Sequence, residues 1–219
     1  MGFEDENLRK LRKAIIDENT EEVKIILENA NKNNIKINLN DKTVSENYPL
    51  LRACLNNNIE IVQLLIDYAN NNNNNININE KNKNGWYPVF WACSENNTEM
   101  VQLLINYAVK NKIKLTLNEK NNDGFYPLLY ACRLNNSKIV RLLIDYAIKS
   151  GIILDLNEKN IFGKYPLSLA CEENNVEIVQ ILIDYANNNK IELEFEESKI
   201  KNSEILALLK DSEKEKEKV

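Results

Sequence analysis

Residues 79–108 read NEKNKNGWYPVFWACSENNTEMVQLLINYA, residues 118–147 read NEKNNDGFYPLLYACRLNNSKIVRLLIDYA, and residues 157–186 read NEKNIFGKYPLSLACEENNVEIVQILIDYA. All three share Asn-Glu-Lys-Asn, a Gly, Tyr-Pro, Ala-Cys, an asparagine pair and a closing Tyr-Ala. Pro49, Pro88, Pro127 and Pro166 stand 39 residues apart, and Cys54, Cys93, Cys132 and Cys171 keep the same step. Tyr48, Tyr87, Tyr126 and Tyr165 precede the prolines, and Tyr68, Tyr107, Tyr146 and Tyr185 repeat in phase with them. Several combs in one register, at a step of this size, mark a stack of repeats, each too small to bury its own apolar face.

Within one unit the residues dictate a turn followed by two helices. Pro, with its fixed φ and missing N–H, suits the first helical position, and about two turns follow with Ala and Cys facing inward. The pairs Asn57–Asn58, Asn96–Asn97, Asn135–Asn136 and Asn174–Asn175 can supply a left-handed residue that ends one helix and a side chain that caps the next. The second helix carries a stripe such as Ile61, Val62, Leu64, Leu65 and Ile66, with Gln63 and Asp67 outside. Between units, IKLTLNEK and IILDLNEK have period-2 apolar residues, which predict an extended or hairpin-like arm.

Composition narrows the chemistry. The 219 residues are 43% hydrophobic and 28% charged, with only five Gly and four Pro, which favours helices over a turn-rich β fold. Twenty-eight basic against 33 acidic residues give a net charge of −5, so nucleic acid is not an expected partner. Histidine is absent, which removes imidazole as base or zinc ligand. No apolar run approaches the roughly 18 residues of a membrane span, and the start MGFEDENLRK lacks a signal-peptide profile. No membrane association is expected, and a cytoplasmic setting is, with the four cysteines as reduced, buried thiols.

The pattern resembles the ankyrin repeat family over about residues 40 to 186. That family's signature is a Gly-containing turn, then T-P-L-H-x-A-A, a short interhelical turn and V-V-x-L-L-L. The resemblance implies an all-α, ankyrin-type solenoid of stacked helix-turn-helix repeats, here with extended arms or hairpins between repeats. Residues 1–39 read as an N-terminal capping helix pair and first arm, since Ala14, Val23 and Ile26 lie one step before Ala53, Val62 and Leu65. Repeats then occupy 40–78, 79–117, 118–156 and 157–195, and 196–219 reads as a C-terminal capping helix with a charged tail.

Several departures from the family pattern carry expectations. Tyr stands for the family's Thr before Pro, and Leu51, Phe90, Leu129 and Ser168 stand for its His, so those hydrogen bonds are expected to give way to aromatic packing. Ala69, Ala108, Ala147 and Ala186 replace the Gly after the second helix, which removes the usual left-handed stop and predicts one more helical turn. This lengthening and the arm together account for a 39-residue step against the family's roughly 33. Glu46 stands where the other turns have Gly, and the first turn is expected to be distorted. Lys42, Lys81, Lys120 and Lys159, each preceded by an acid, read as a solvated, sign-alternating arm. Asn40, Asn79, Asn118 and Asn157 match the ankyrin turn asparagine that is hydroxylated in some family members.

No residue set supports catalysis: Glu172 and Glu173 have no companion nucleophile, phosphate cradle or metal-spaced cluster. No cofactor and no enzyme activity are expected. The sequons at Asn96 and Asn135 lie in capping turns, where glycosylation is not expected. Positions that differ between repeats are the candidates for recognition, because scaffold positions must recur. On the turn tips and first helices these are Arg52, Trp86, Trp91, Glu95, Phe125, Tyr130, Arg133, Leu134, Glu172 and Glu173. In the family such positions line a concave groove. Trp86, Trp91, Phe125 and Tyr130 would form an aromatic patch, flanked by Arg52 and Arg133, for a ligand with an apolar centre and a basic element facing Glu172 and Glu173. The reading is a monomeric, non-catalytic protein-binding module. The alternatives are a structural spacer and, behind it, a regulator that binds a small molecule.

Overall fold

The computed structural model describes residues 5–216, which contain eleven α-helices, one 3-10 turn and no strand. The chain divides into two compact units, Met1–Leu115 and Thr116–Val219. The first holds α1 (Glu6–Ile16), α2 (Thr20–Lys32), α3 (Pro49–Leu55), α4 (Ile59–Asn71), α5 (Pro88–Ser94) and α6 (Thr98–Lys110). The second holds α7 (Pro127–Arg133), α8 (Ser137–Ser150), α9 (Pro166–Glu172), α10 (Val176–Asn189), the 3-10 turn (Glu197–Lys199) and α11 (Ser203–Lys216). In each unit short helices pack on short ones and long on long, α1 to α3 to α5 and α2 to α4 to α6 in the first, α7 to α9 and α8 to α10 in the second. In the second, α11 closes on α10 with Ile205 and Leu209 buried.

Local chemistry sets the helix boundaries. Pro opens α3, α5, α7 and α9 after an extended Tyr. Asn57, Asn96, Asn135 and Asn174 have φ of 54 to 56°, left-handed values that asparagine tolerates better than most residues. The next asparagine caps the long helix, as in Ile61 N–H to Asn58 Oδ1 at 3.0 Å and Ile178 N–H to Asn175 Oδ1 at 2.9 Å. The long helices run two to three residues beyond Ala69, Ala108, Ala147 and Ala186. Their left-handed stop is displaced rather than removed: it falls at Asn73, Lys112, Gly151 and Lys190, and the next amide bonds back to the Ala carbonyl at 2.8 to 2.9 Å.

The arms differ from a hairpin. Their alternating residues do point inward, with Ile37, Leu39, Ile76, Ile78, Leu154 and Leu156 buried, but no β ladder pairs them. Side chains of other segments satisfy the backbone instead. The Tyr185 hydroxyl accepts from Leu154 N–H at 3.0 Å and donates to Ile152 C=O at 3.1 Å. Tyr68 does the same for Ile37 N–H and Ile35 C=O, both at 3.0 Å. Asn157 donates to Glu192 C=O at 2.6 Å and accepts from Glu194 N–H at 3.1 Å, and Asn40 makes the matching pair with Asn75 and Asn77. These arms are thus fastened to their neighbours by amide and phenol groups in place of a β ladder.

Three further expectations are corrected. The Tyr before Pro does not replace a hydrogen bond by packing alone: the Tyr126 hydroxyl donates within 2.9 Å of Asp155 C=O and 3.2 Å of Glu158 C=O, and that of Tyr48 reaches Glu80 C=O at 3.3 Å. Ser168, in the register of the family's His, accepts from Tyr165 N–H at 3.0 Å and donates to Tyr165 C=O at 2.7 Å. The first turn is not distorted. Glu46 adopts φ 61° where Gly85, Gly124 and Gly163 have 70 to 80°, and Glu46 N–H to Thr43 C=O at 2.8 Å matches Gly163 N–H to Asn160 C=O at 2.9 Å. The geometry of the turn overrides the residue, and Glu46 bears the strain.

Candidate functional site

The turns before α5, α7 and α9 are each built on a buried asparagine. Asn82, Asn121 and Asn160 are 6 to 8% exposed, and each Oδ1 accepts two backbone N–H groups, in Asn160 those of Phe162 and Lys164, both at 2.9 Å. This rigid tip carries the two residues before Gly outward, and Asn84, Asp123 and Phe162 are exposed there. Asn82, Asn121 and Asn160 recur at the 39-residue step, so the comb that anchors the tips was legible in the sequence and was not singled out.

The predicted recognition residues fall into two groups, one in each unit. In the first unit the Trp86 ring stacks on the buried Phe90 at 4.6 Å and meets Trp91 edge-on at 4.8 Å. Both indoles are half-buried, so each packs as scaffold on one side and offers the other. Glu95 is exposed at the end of α5. Arg52, half-buried on α3, lines a cavity facing α1.

In the second unit Phe125 is 4% exposed, which corrects its reading as a contact residue. Its ring lies 4.6 Å from Tyr130 and 6.2 Å from Phe162, with the Arg133 guanidinium 5.2 Å above it. Phe125 is therefore a floor that supports Tyr130 and Arg133. Arg133 is exposed and also lies 5.7 Å from the Tyr130 ring, while Leu134 is half-buried at the end of α7. Glu172 and Glu173 are exposed, but Glu172 pairs with Lys164, so it is not an open acidic contact.

Exposure brings forward residues that comparison of the repeats passed over. Ile161 and Phe162 are each 66% exposed at the tip before Gly163, and Val44 is 88% exposed at the first tip. The other two tips carry Lys83–Asn84 and Asn122–Asp123 in the same register. The signal was available, because these two positions vary more between units than most.

The remaining combs have structural tasks. The lysines do not form an independent charged strip: Lys42 pairs with Glu80, Lys120 with Glu158 at 2.6 Å and Lys159 with Glu194 at 2.9 Å, each linking adjacent arms. Lys120 holds the Glu158 carboxyl below its usual pKa. The four thiols are free, and burial pushes all of them up, Cys171 to about 11 and the fully enclosed Cys54, Cys93 and Cys132 further. A thiol so placed is a poor nucleophile or metal ligand at neutral pH. Among the described residues no group of three or more Cys, Asp or Glu could hold a metal ion, and no helix is long and apolar enough to cross a membrane.

Successive helix pairs packed short on short and long on long within each unit, four of them opened by Pro and three of those entered through a Gly turn, define a helical repeat protein. Ankyrin repeat models match residues 11–66, 72–153 and 162–192, and the chain belongs to the ankyrin repeat family. No curated protein matches it. Ankyrin repeats are generally non-catalytic protein-interaction modules.

Proposed function

We propose that this chain is a protein-binding module whose contact face is made of turn tips and the outer sides of the short helices. The observation that carries the reading is the pair Ile161 and Phe162, each 66% exposed on a tip fixed by Asn160, with Phe162 against the Phe125 ring that also supports Tyr130 and the Arg133 guanidinium. A large apolar pair on a rigid, solvent-facing turn has no folding role that requires its exposure. Aromatic and Arg side chains together are the usual carriers of binding energy. Because hydrogen bonds hold the tips in place, binding loses little conformational entropy.

Trp86 and Trp91 supply the matching aromatic element of the first unit, with half of each indole already used in packing. Partners captured from a native lysate and identified by mass spectrometry would be titrated against the full chain and against I161D and F162D. A buried aromatic anchor contributes at least about 2 kcal/mol, roughly 30-fold in affinity. F162D is expected to lose that much with an unchanged melting curve. Undiminished affinity in both variants would remove this face from the mechanism.

A further inference from the structure

A cavity of about 180 Å³ opens between α1 and α3 in the first unit, lined by Arg12, Ile15, Ile16, Tyr48, Pro49 and Arg52 among others. Two of its walls are guanidinium groups, and they differ. Arg12 is answered by Asp41, Nη2 to Oδ2 at 3.0 Å. Among the described residues the Arg52 side chain has no carboxylate and no hydrogen-bond acceptor, and its Nε is buried and unpaired. Buried donors, above all charged ones, are normally satisfied. The remaining wall is apolar, and Ile16 at its rim is 54% exposed.

We infer that this cavity receives an acidic side chain of a protein partner, its carboxylate on the Arg52 guanidinium and its methylene stem against Ile15, Ile16 and Pro49. The planar fork of Arg matches a carboxylate through two parallel N–H bonds, and a low-dielectric surround strengthens them. At about 180 Å³ the space is below the 300 Å³ at which small-molecule sites begin, so it suits one anchoring residue and not a metabolite. The net positive charge of the Arg12, Arg52 and Asp41 set stands out in a chain of net charge −5, and it selects an acidic element. The inference rests on the protein-binding reading and adds the chemistry of one contact.

The probe is the blocked peptide acetyl-Ala-Leu-Glu-Leu-Ala-amide, titrated into methyl-labelled full-length protein and compared with its Gln analogue and with sodium acetate. Saturable shifts of the Ile15 and Ile16 methyls are expected with the Glu peptide, at least tenfold weaker affinity with Gln, and none comparable with acetate. R52Q should abolish the shifts, and R52K, which keeps the charge and loses the fork, should weaken them severalfold, with both melting curves checked. Equal affinity for Glu and Gln, unchanged binding by R52Q, or acetate binding as well as the peptide would each overturn the carboxylate pocket. F162D is expected to bind the Glu peptide normally. If the peptide fails while F162D still loses captured partners, this inference falls and the binding-module reading stands.

Discussion

Replacing Tyr185 by Phe removes one oxygen atom from the tie that holds an arm to its long helix. The Tyr185 ring is 2% exposed, and its hydroxyl both accepts from Leu154 N–H at 3.0 Å and donates to Ile152 C=O at 3.1 Å. Phe fills the same ring volume, so no cavity penalty enters. What is lost is two hydrogen bonds, each about 1 kcal/mol net, and the Leu154 N–H is left buried and unpaired at a cost of about 1–3 kcal/mol. The two contributions overlap, and a total destabilisation of about 2–3 kcal/mol is expected. Repeat stacks can open unit by unit, so a single global unfolding energy averages over the effect. Amide exchange reads it locally: Leu154 should exchange about 30- to 150-fold faster in Y185F, while amides of the first unit are unchanged. Urea unfolding followed by far-UV circular dichroism supplies the global value. A loss under about 0.5 kcal/mol together with unaltered exchange at Leu154 would refute the claim that the phenol, and not apolar contact, fastens the arm.

Glu46 at φ 61° invites E46G, where relief of about 1–2 kcal/mol of left-handed strain, less the added chain entropy of Gly, leaves a gain of about 0.5–1 kcal/mol in thermal or urea unfolding. G124A should act in the opposite direction in the same assay: its Cβ would meet the Asn160 Cα at 2.9 Å with φ at 77°, and a loss above about 1 kcal/mol is expected. Burial raises the folded pKa of the four thiols above the ordinary 9, so the stability linked to them is complete below pH 9 and is lost as the unfolded chain ionises at higher pH. Unfolding free energy measured from pH 7.5 to 10.5 should therefore fall in the upper part of that range, and in the native state a thiol reagent should modify Cys171 well before the other three.

The path from residue to element was short wherever a backbone position demanded a particular side chain. Pro at the head of α3, α5, α7 and α9 and the Asn pairs between helices were read correctly because each acts within its own few residues. The arms were misread because alternation reports which face is buried and not what pairs the backbone; Tyr185 and Asn157 do that from 31 to 37 positions away. Glu46 was misread for a related reason, since its turn is held by bonds common to all four units and the residue yields to them. At the candidate site, variation between repeats located Arg133 and Tyr130 on the outer face, but it placed the buried Phe125 beside them and passed over Phe162.

By itself the chain of letters determined the repeat, its two helices and their ends, because periodic burial and capping are local and recur every 39 residues. Only the tertiary structure decided which side chains remain exposed, which carboxylates are already paired, and that among the described residues no acid answers Arg52. Those properties depend on the sum of all neighbours in space, and residues in the same register of successive repeats meet different neighbours.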